Sequence, residues 1–354
     1  MLVIKRVIEK GADFFRHRRE DIQDYLGGGI LARMIGIVIS AYLILSLAVG
    51  WWWSREPEMV DIQHYAAERA GAQGQTPVTG YTTTTALIYL AETMLNKPGG
   101  YLRNDIFPPG ILLDNIPRWE FGVLVQVRDL ARAFRKDFSR SQSQSVEDKD
   151  LTIAEPQFHF DNNSWAIPAS ESEYLHGIKA MYSYLSRLTD DNQADAQFYA
   201  RADNLRSWLS DVNNRLGSLS RRLTESVGRE QLDLALAGDV NATQSTASVG
   251  TKEQKTPWLE IDNVFYEARG ATWALVHILK AIEYDFREVL ESKNALVSLQ
   301  QIILELEATQ ENIWSPMVLN GSGFGLLSNH SLTMSSYISR ASAAIIDLRS
   351  LLQQ

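Results

Sequence analysis

Six histidines, no cysteine and a single Glu-x-x-His pair bound the chemistry open to this chain of 354 residues. Without cysteine there is no disulfide, no thiolate zinc site, no iron–sulfur cluster and no thiol nucleophile. Glu173 and His176 stand three apart, the spacing by which a helix offers one carboxylate and one imidazole to a di-metal centre. Such a centre needs a second pair and two further inward glutamates. Only Asp61-x-x-His64 comes near, so Glu173 and His176 read as surface residues. No His-Glu-x-x-His and no Gly-x-Ser-x-Gly occurs, so the zinc-protease and α/β-hydrolase patterns are missing. Asn320–Gly325 (NGSGFG) has the glycines of a phosphate cradle without the Lys-Ser/Thr that should follow, and reads as a turn. His277 and Lys280 sit in WALVHILKAIEYDF. A core histidine with a hydrogen bond and a lysine whose stem lies along apolar surface explain them better than a shifted catalytic pair. Trp119, Glu120 and Asp129 belong to an apolar helix, where caps and salt bridges account for the charges. The sequence therefore assigns no catalytic, cofactor-binding or metal-ligating residue, and the expectation is a protein without cofactor that is not an enzyme.

The elements that would position any site begin with an anchor. Met34–Trp53 holds no charged residue, and a helix of that length spans roughly the 30 Å hydrocarbon core. Arg33 and Arg55 bracket it, and Trp51, Trp52 and Trp53 form an interfacial aromatic belt at one end. Seven Lys and Arg lie in residues 1–33, against two in the twenty residues after the run. The positive-inside rule then makes 1–33 a cytoplasmic tail, 34–53 a transmembrane helix and 54–354 an exported domain. The stretch before the apolar run is too long for a cleaved signal peptide, which favours an uncleaved signal-anchor. Residues 2–25 read equally as an interfacial amphipathic helix or a solvated tail. The net charge of −9 divides into +2 for the tail and −11 for residues 54–354, which argues against nucleic acid as a partner.

Beyond the anchor the pattern is helical. Phe198, Ala202, Leu205, Leu209, Val212, Leu216, Leu219 and Leu223 alternate spacings of four and three, an a/d seam within 194–227. The same seam runs from Trp258 to about Ala308, with a bend or break expected near 291–295. Tyr174–Leu188, Val123–Phe134, Thr84–Asn96 and Met334–Leu352 supply shorter faces. The fold class is all-α, an antiparallel bundle of about six helices. Residues 97–117 form a proline- and glycine-rich loop whose apolar side chains should pack. Residues 139–168 read as non-helical chain laid on the bundle. Residues 238–257 read as a disordered tip joining two seam helices into an αα-hairpin.

Three long phrases carry a resemblance: KPGGYLRNDIFPPGILLDNIPRWEFGVLVQVRDLARAFR, SQSQSVEDKDLTIAEPQFHFD and AQFYARADNLRSWLSDVNNRLGSLSRRL. Together with DNVFYEARGATWALVHILKAIEYDF they resemble the bacterial domain-of-unknown-function family 2333 over nearly the whole chain. The resemblance implies a Gram-negative inner-membrane protein with its domain in the periplasm, and supplies no catalytic residues. The expected function is a non-enzymatic envelope scaffold that docks a protein partner. The alternative is a periplasmic module for lipid, peptide or cell-wall fragments. For either role the candidate surface is aromatic: Tyr101, Phe107, Trp119, Phe158, Phe160 and Trp165. The bilayer itself is the other expected partner. Oligomeric state stays open, because a/d seams serve an intramolecular bundle or a dimer.

Overall fold

The computed structural model describes residues 30–141, 146–190, 195–232, 251–315, 317–322 and 326–354. The expected tail, 1–33, lies almost wholly outside them. Two units result, Met1–Trp52 and Trp53–Gln354. In the first, α1 (Ile30–Trp53) is apolar all round. Ile37, Val38, Ile44 and Leu47 are each about two-thirds exposed, so most of the apolar surface of this helix is not buried in protein. Its Ala32–Trp53 stretch is the one helix among the described residues long and apolar enough to cross a membrane.

Among its described residues the second unit is all-α apart from one short ribbon. Its helices are α2 (Ile62–Gln73), α3 (Tyr81–Asn96), α4 (Asn115–Ala133), α5 (Leu151–Phe158), α6 (Ser170–Leu188), α7 (Ala202–Thr224), α8 (Ile261–Asp285), α9 (Arg287–Ser292), α10 (Leu296–Glu307) and α11 (His330–Gln353). A π-helical turn, Phe134–Phe138, extends α4. Strands β1 (Arg229–Leu232) and β2 (Thr251–Gln254) pair antiparallel. β2 falls inside the stretch expected to be disordered, and residues 238–250 of that stretch lie outside the described residues.

At the centre α4 crosses α8 with backbone against backbone. A Cβ on Gly122 would overlap the Glu267 carbonyl, and one on Gly270 would overlap the Trp119 carbonyl. Each helix thus gives up a side chain where the other passes. Trp119 and Trp273 fill the flanks, ring centroids 5.0 Å apart. α8 is buried on nearly every side, from Ala268 to Leu279 without a break. The seam of α7 packs antiparallel on α11, where Ser220 meets Ser335 at 2.9 Å and Asn213 meets Ser342 at 2.7 Å. The expected pairing of α7 with α8 as a hairpin is therefore corrected: α7 lies chiefly on α11, and α8 chiefly on α4.

Three further expectations meet the structure. The seam from Trp258 to Ala308 breaks within the expected stretch, 291–295, and reverses there. It stops at Phe286 and turns at Asn294, whose φ of 51° no helix allows. α10 then returns along α8, with Gln300 bonded to Glu283 at 2.7 Å and Lys280 paired with Glu307 at 2.6 Å. Residues 139–168 contain a helix, α5. Its start is fixed by Asp148, which accepts from the Asp150 and Leu151 amides at 2.9 and 3.3 Å, and Arg187 holds Asp148 and Asp150 from α6. The 97–117 loop packs only in part. Tyr101, Leu102 and Ile116 are buried, while Ile106, Phe107, Ile111 and Leu112 are exposed.

α3 shows how distant residues complete an element. Its N-cap is Gly80, which has no side chain to offer. Asp285, from the end of α8, supplies the missing acceptor, taking the Thr83 amide at 2.7 Å and the Thr83 hydroxyl at 2.6 Å. Burial pushes this carboxyl up to about 6.

The crossing makes a contrast measurable. Gly270→Ala should lower unfolding stability by about 2 kcal/mol or more, because backbone must move. Gly217 lies exposed in α7 with open space around it, so Gly217→Ala should raise stability by up to about 1 kcal/mol. Denaturant unfolding of the two variants checks both signs.

Candidate functional site

Among the concavities of the second unit, two are built on segments that the polar interior holds in place. The segment after α1 is clamped along α8 at three points. Glu56 pairs with Arg269 Nε at 2.6 Å, the Val60 amide donates to His277 Nε2 at 3.2 Å, and the Gln63 amide nitrogen donates to the Lys280 carbonyl at 2.9 Å. Arg269 is buried. Besides Glu56 it binds the carbonyls of Thr309 (3.0 Å), Glu311 (2.9 Å) and Gln310 (3.2 Å). Those carbonyls end α10, where a guanidinium both fills orphan acceptors and meets the negative end of the helix dipole. Thr272 closes the same corner, bonded to Thr309 at 2.8 Å.

The first concavity, a groove of about 430 Å³, opens beside this corner. α8 contributes Phe265 and Arg269, the chain after α10 contributes Ile313 and Trp314, and the first turns of α11 contribute Thr333, Met334 and Tyr337. Trp314 is 96% exposed. Met317, Leu326 and Leu327 add exposed apolar surface on the neighbouring chain. His330 starts α11 and also lines the groove. Its Nδ1 lies 3.1 Å from the Leu319 amide, which can only donate, so the ring is neutral with its hydrogen on Nε2. Burial keeps its pKa below the usual histidine range.

The second concavity, about 260 Å³, is lined by Trp53, Ile106, Phe107, Trp165 and Glu171, among others. Its two loops are tied by Asn104, which donates to the Ser164 carbonyl at 2.7 Å and to Glu171 at 2.8 Å. Beneath them Lys97 and Glu120 form a buried pair at 2.6 Å. Glu120 also accepts the Leu102 and Arg103 amides, each at 2.9 Å, so the root of the 97–117 loop is rigid.

The structure sorts the six aromatic residues read from the sequence. Phe107 and Trp165 are exposed and share the second concavity. Tyr101, Trp119 and Phe158 are core residues, and Phe160 packs against the core, so these four do not form a surface. The aromatic rings of a loop can point inward when a backbone partner waits there: the Tyr101 hydroxyl reaches the Asn162 carbonyl at 3.0 Å. Of the anchor residues, Trp51 and Trp52 are exposed on α1, whereas Trp53 packs against the core of the second unit.

The chemical motifs resolve into structure. Among the described residues no group of three or more His, Asp or Glu could hold a metal ion. Asp61 caps α2 through the Gln63 and His64 amides. Gly321 bonds Ser328 at 3.0 Å and Asn329 bonds the Gly321 carbonyl at 2.7 Å, closing a turn whose residues 323–325 lie outside the described ones. His277 donates from Nδ1 to the Trp273 carbonyl at 2.8 Å and is fully buried. The Val60 amide can only donate to Nε2, which fixes the neutral tautomer. The pairs that build both concavities, Arg269 with Glu56 and Lys97 with Glu120, carry no sequence signal. The first spans 213 positions.

A family model described as an uncharacterized protein conserved in bacteria (DUF2333) matches residues 27–354. No curated protein and no solved structure matches the chain.

Burial lowers the His277 pKa from 6.5 to about 4, helped by the Lys280 charge and opposed by the Trp273 carbonyl. A depressed folded value gives stability that is present above 6.5 and lost as pH falls through 4. The stability difference between the wild type and His277→Gln should therefore shrink by about 3 kcal/mol from pH 7 to pH 4. Denaturant midpoints across that range read it, and a flat difference would contradict the assignment.

Proposed function

We propose that this chain, which belongs to the bacterial family DUF2333, is a single-pass inner-membrane protein whose periplasmic helical domain serves, without catalysis, as an envelope interaction protein. Its N-terminus lies in the cytoplasm, in keeping with the basic residues before the apolar helix and the −11 charge after it. The docking surface is the groove around Trp314. One observation carries this reading: a tryptophan almost wholly in solvent beside an apolar groove, on a floor locked by Arg269. Leaving so large an apolar side chain in water forgoes its burial energy, and tryptophan and tyrosine concentrate where partners bind. The non-catalytic reading is supported by the structural duties of the residues that chemistry would need. His277 and Asp285 bond backbone amides, Glu120 is paired, and His176 stands on an outer helix face.

A second reading draws on the groove's size. A volume of about 430 Å³ falls in the range of small-ligand sites, so a lipid, peptide or cell-wall fragment is the alternative occupant.

A photoreactive residue at Met317 of the full chain, activated in cells, distinguishes the two. The interaction reading expects a discrete protein adduct, reduced about tenfold or more when Thr333→Arg places a charged side chain in the groove. An adduct of small-molecule mass would favour the second reading. A protein adduct indifferent to Thr333→Arg would contradict the groove as the docking surface.

A further inference from the structure

Trp53 is both the last residue of α1 and the first of the compact unit. As the end of the apolar helix, Trp53 stands at the boundary if that helix spans a bilayer. Its ring is fixed within the second unit: a Cβ on Gly99, where φ is 88°, would lie 2.7 Å from it. Residues that share its cleft are therefore within reach of the headgroup region, which is roughly 5–8 Å thick on each side.

Those residues are apolar and turned outward. Phe107 and Trp165 line the cleft with Trp53 and are 70% and 60% exposed. Ile111 and Leu112 follow on the same turn, where the Ile111 amide bonds the Phe107 carbonyl at 3.1 Å, and Ile167 stands two residues from Trp165. All three are more than half exposed. Chain flexibility does not explain such exposure. Asn104, Glu171 and the buried Lys97–Glu120 pair hold both loops rigidly. A rigid cluster of Trp, Phe, Ile and Leu in water is costly, and it matches the composition that settles into the interface between headgroups and acyl chains.

We infer that the loops carrying Phe107 and Trp165 form a second, non-covalent membrane contact, which inserts into the bilayer interface beside the exit of α1. This rests on α1 spanning the membrane. The ligand is lipid in its interfacial layer, and the contact is apolar in kind. The charged residues in the cleft are the carboxylates Asp105 and Glu171, with no lysine or arginine among its lining residues. Binding should therefore need no anionic lipid and should resist salt.

The test uses the full chain, whose lack of cysteine makes single-site labelling clean. A fluorophore is placed by Phe107→Cys, Trp165→Cys, Ile44→Cys in α1, or Val297→Cys, and the protein is reconstituted in phosphatidylcholine vesicles with brominated acyl chains. Val297 is the water control. It lies in the first turn of α10, three residues before Gln300, which bonds Glu283 near the end of α8; Asp285 at that end sits at the start of α3, whereas Trp53 packs on Gly99 beyond the far end of that helix of about 24 Å. All four positions are exposed, and unchanged thermal unfolding confirms the fold. Bromine should quench the labels at 107 and 165 about fivefold more than the label at 297, equally at low and high salt, as interfacial apolar insertion requires. If the label at 44 is quenched while those at 107 and 165 stay at the level of 297, the proposal is overturned with the anchor intact. A protein partner is then the occupant the patch awaits. If the label at 44 is not quenched, the anchor reading fails and takes this proposal with it.

Discussion

Backbone meets backbone where α4 crosses α8, and the rest of the second unit follows from that contact. Gly122 and Gly270 leave the two helices no side chain between them, so Trp119 and Trp273 close around the crossing. α8 becomes a helix with almost no wet face. A helix so placed gains from internal partners for the polar side chains it carries, since an unpaired buried group costs roughly 1–3 kcal/mol. Arg269, Thr272 and His277 find them in the end of α10 and in the chain that leaves α1. The segment from Glu56 to Gln63 is thereby fastened along α8, and the residues next to the apolar helix become part of a folded body.

That fastening has consequences for acid and base. Asp285 and His277 are both groups of α8 bonded to backbone amides, and burial moves their pKa values in opposite directions. The raised carboxyl stabilises fully below its unfolded value of 3.8 and loses that contribution as pH rises through about 6. The lowered imidazole stabilises above 6.5 and loses its contribution as pH falls through about 4. Between these limits the two trends oppose each other, and the net pH dependence of folding is shallower than either group alone would give.

Much of the architecture was legible. Strong periodicity over 202–224 marked α7 correctly, and the uncharged run marked α1, because both signals are local. In the seam of 258–308 the break near 291–295 was legible but the full reversal was not, because a heptad pattern survives a reversal. α8 and α10 bury the same periodic face, and the turn between them is announced only by Asn294. α5 went unread because Pro156 and the polar residues before Leu151 suggest irregular chain. Its start depends on Asp148 and on Arg187, 39 positions away. The aromatic surface was legible in one third of its members. Phe107 and Trp165 face outward, while Tyr101, Trp119 and Phe158 look the same in sequence and are buried by partners that only the fold supplies. The groove around Trp314 left no motif, since Phe265, Trp314 and Tyr337 share nothing but tertiary proximity.

The proposed topology puts the second unit outside the cytoplasm and the residues before the apolar helix inside it. Labelling with a membrane-impermeant maleimide small enough to enter the periplasm tests it most directly, using single-cysteine chains in living cells. Val297→Cys should react in intact cells, and Ile22→Cys, before the apolar helix, only after the inner membrane is broken. Labelling of Ile22→Cys in intact cells with Val297→Cys protected would reverse the orientation. Equal protection of both would place the whole chain inside and contradict the account.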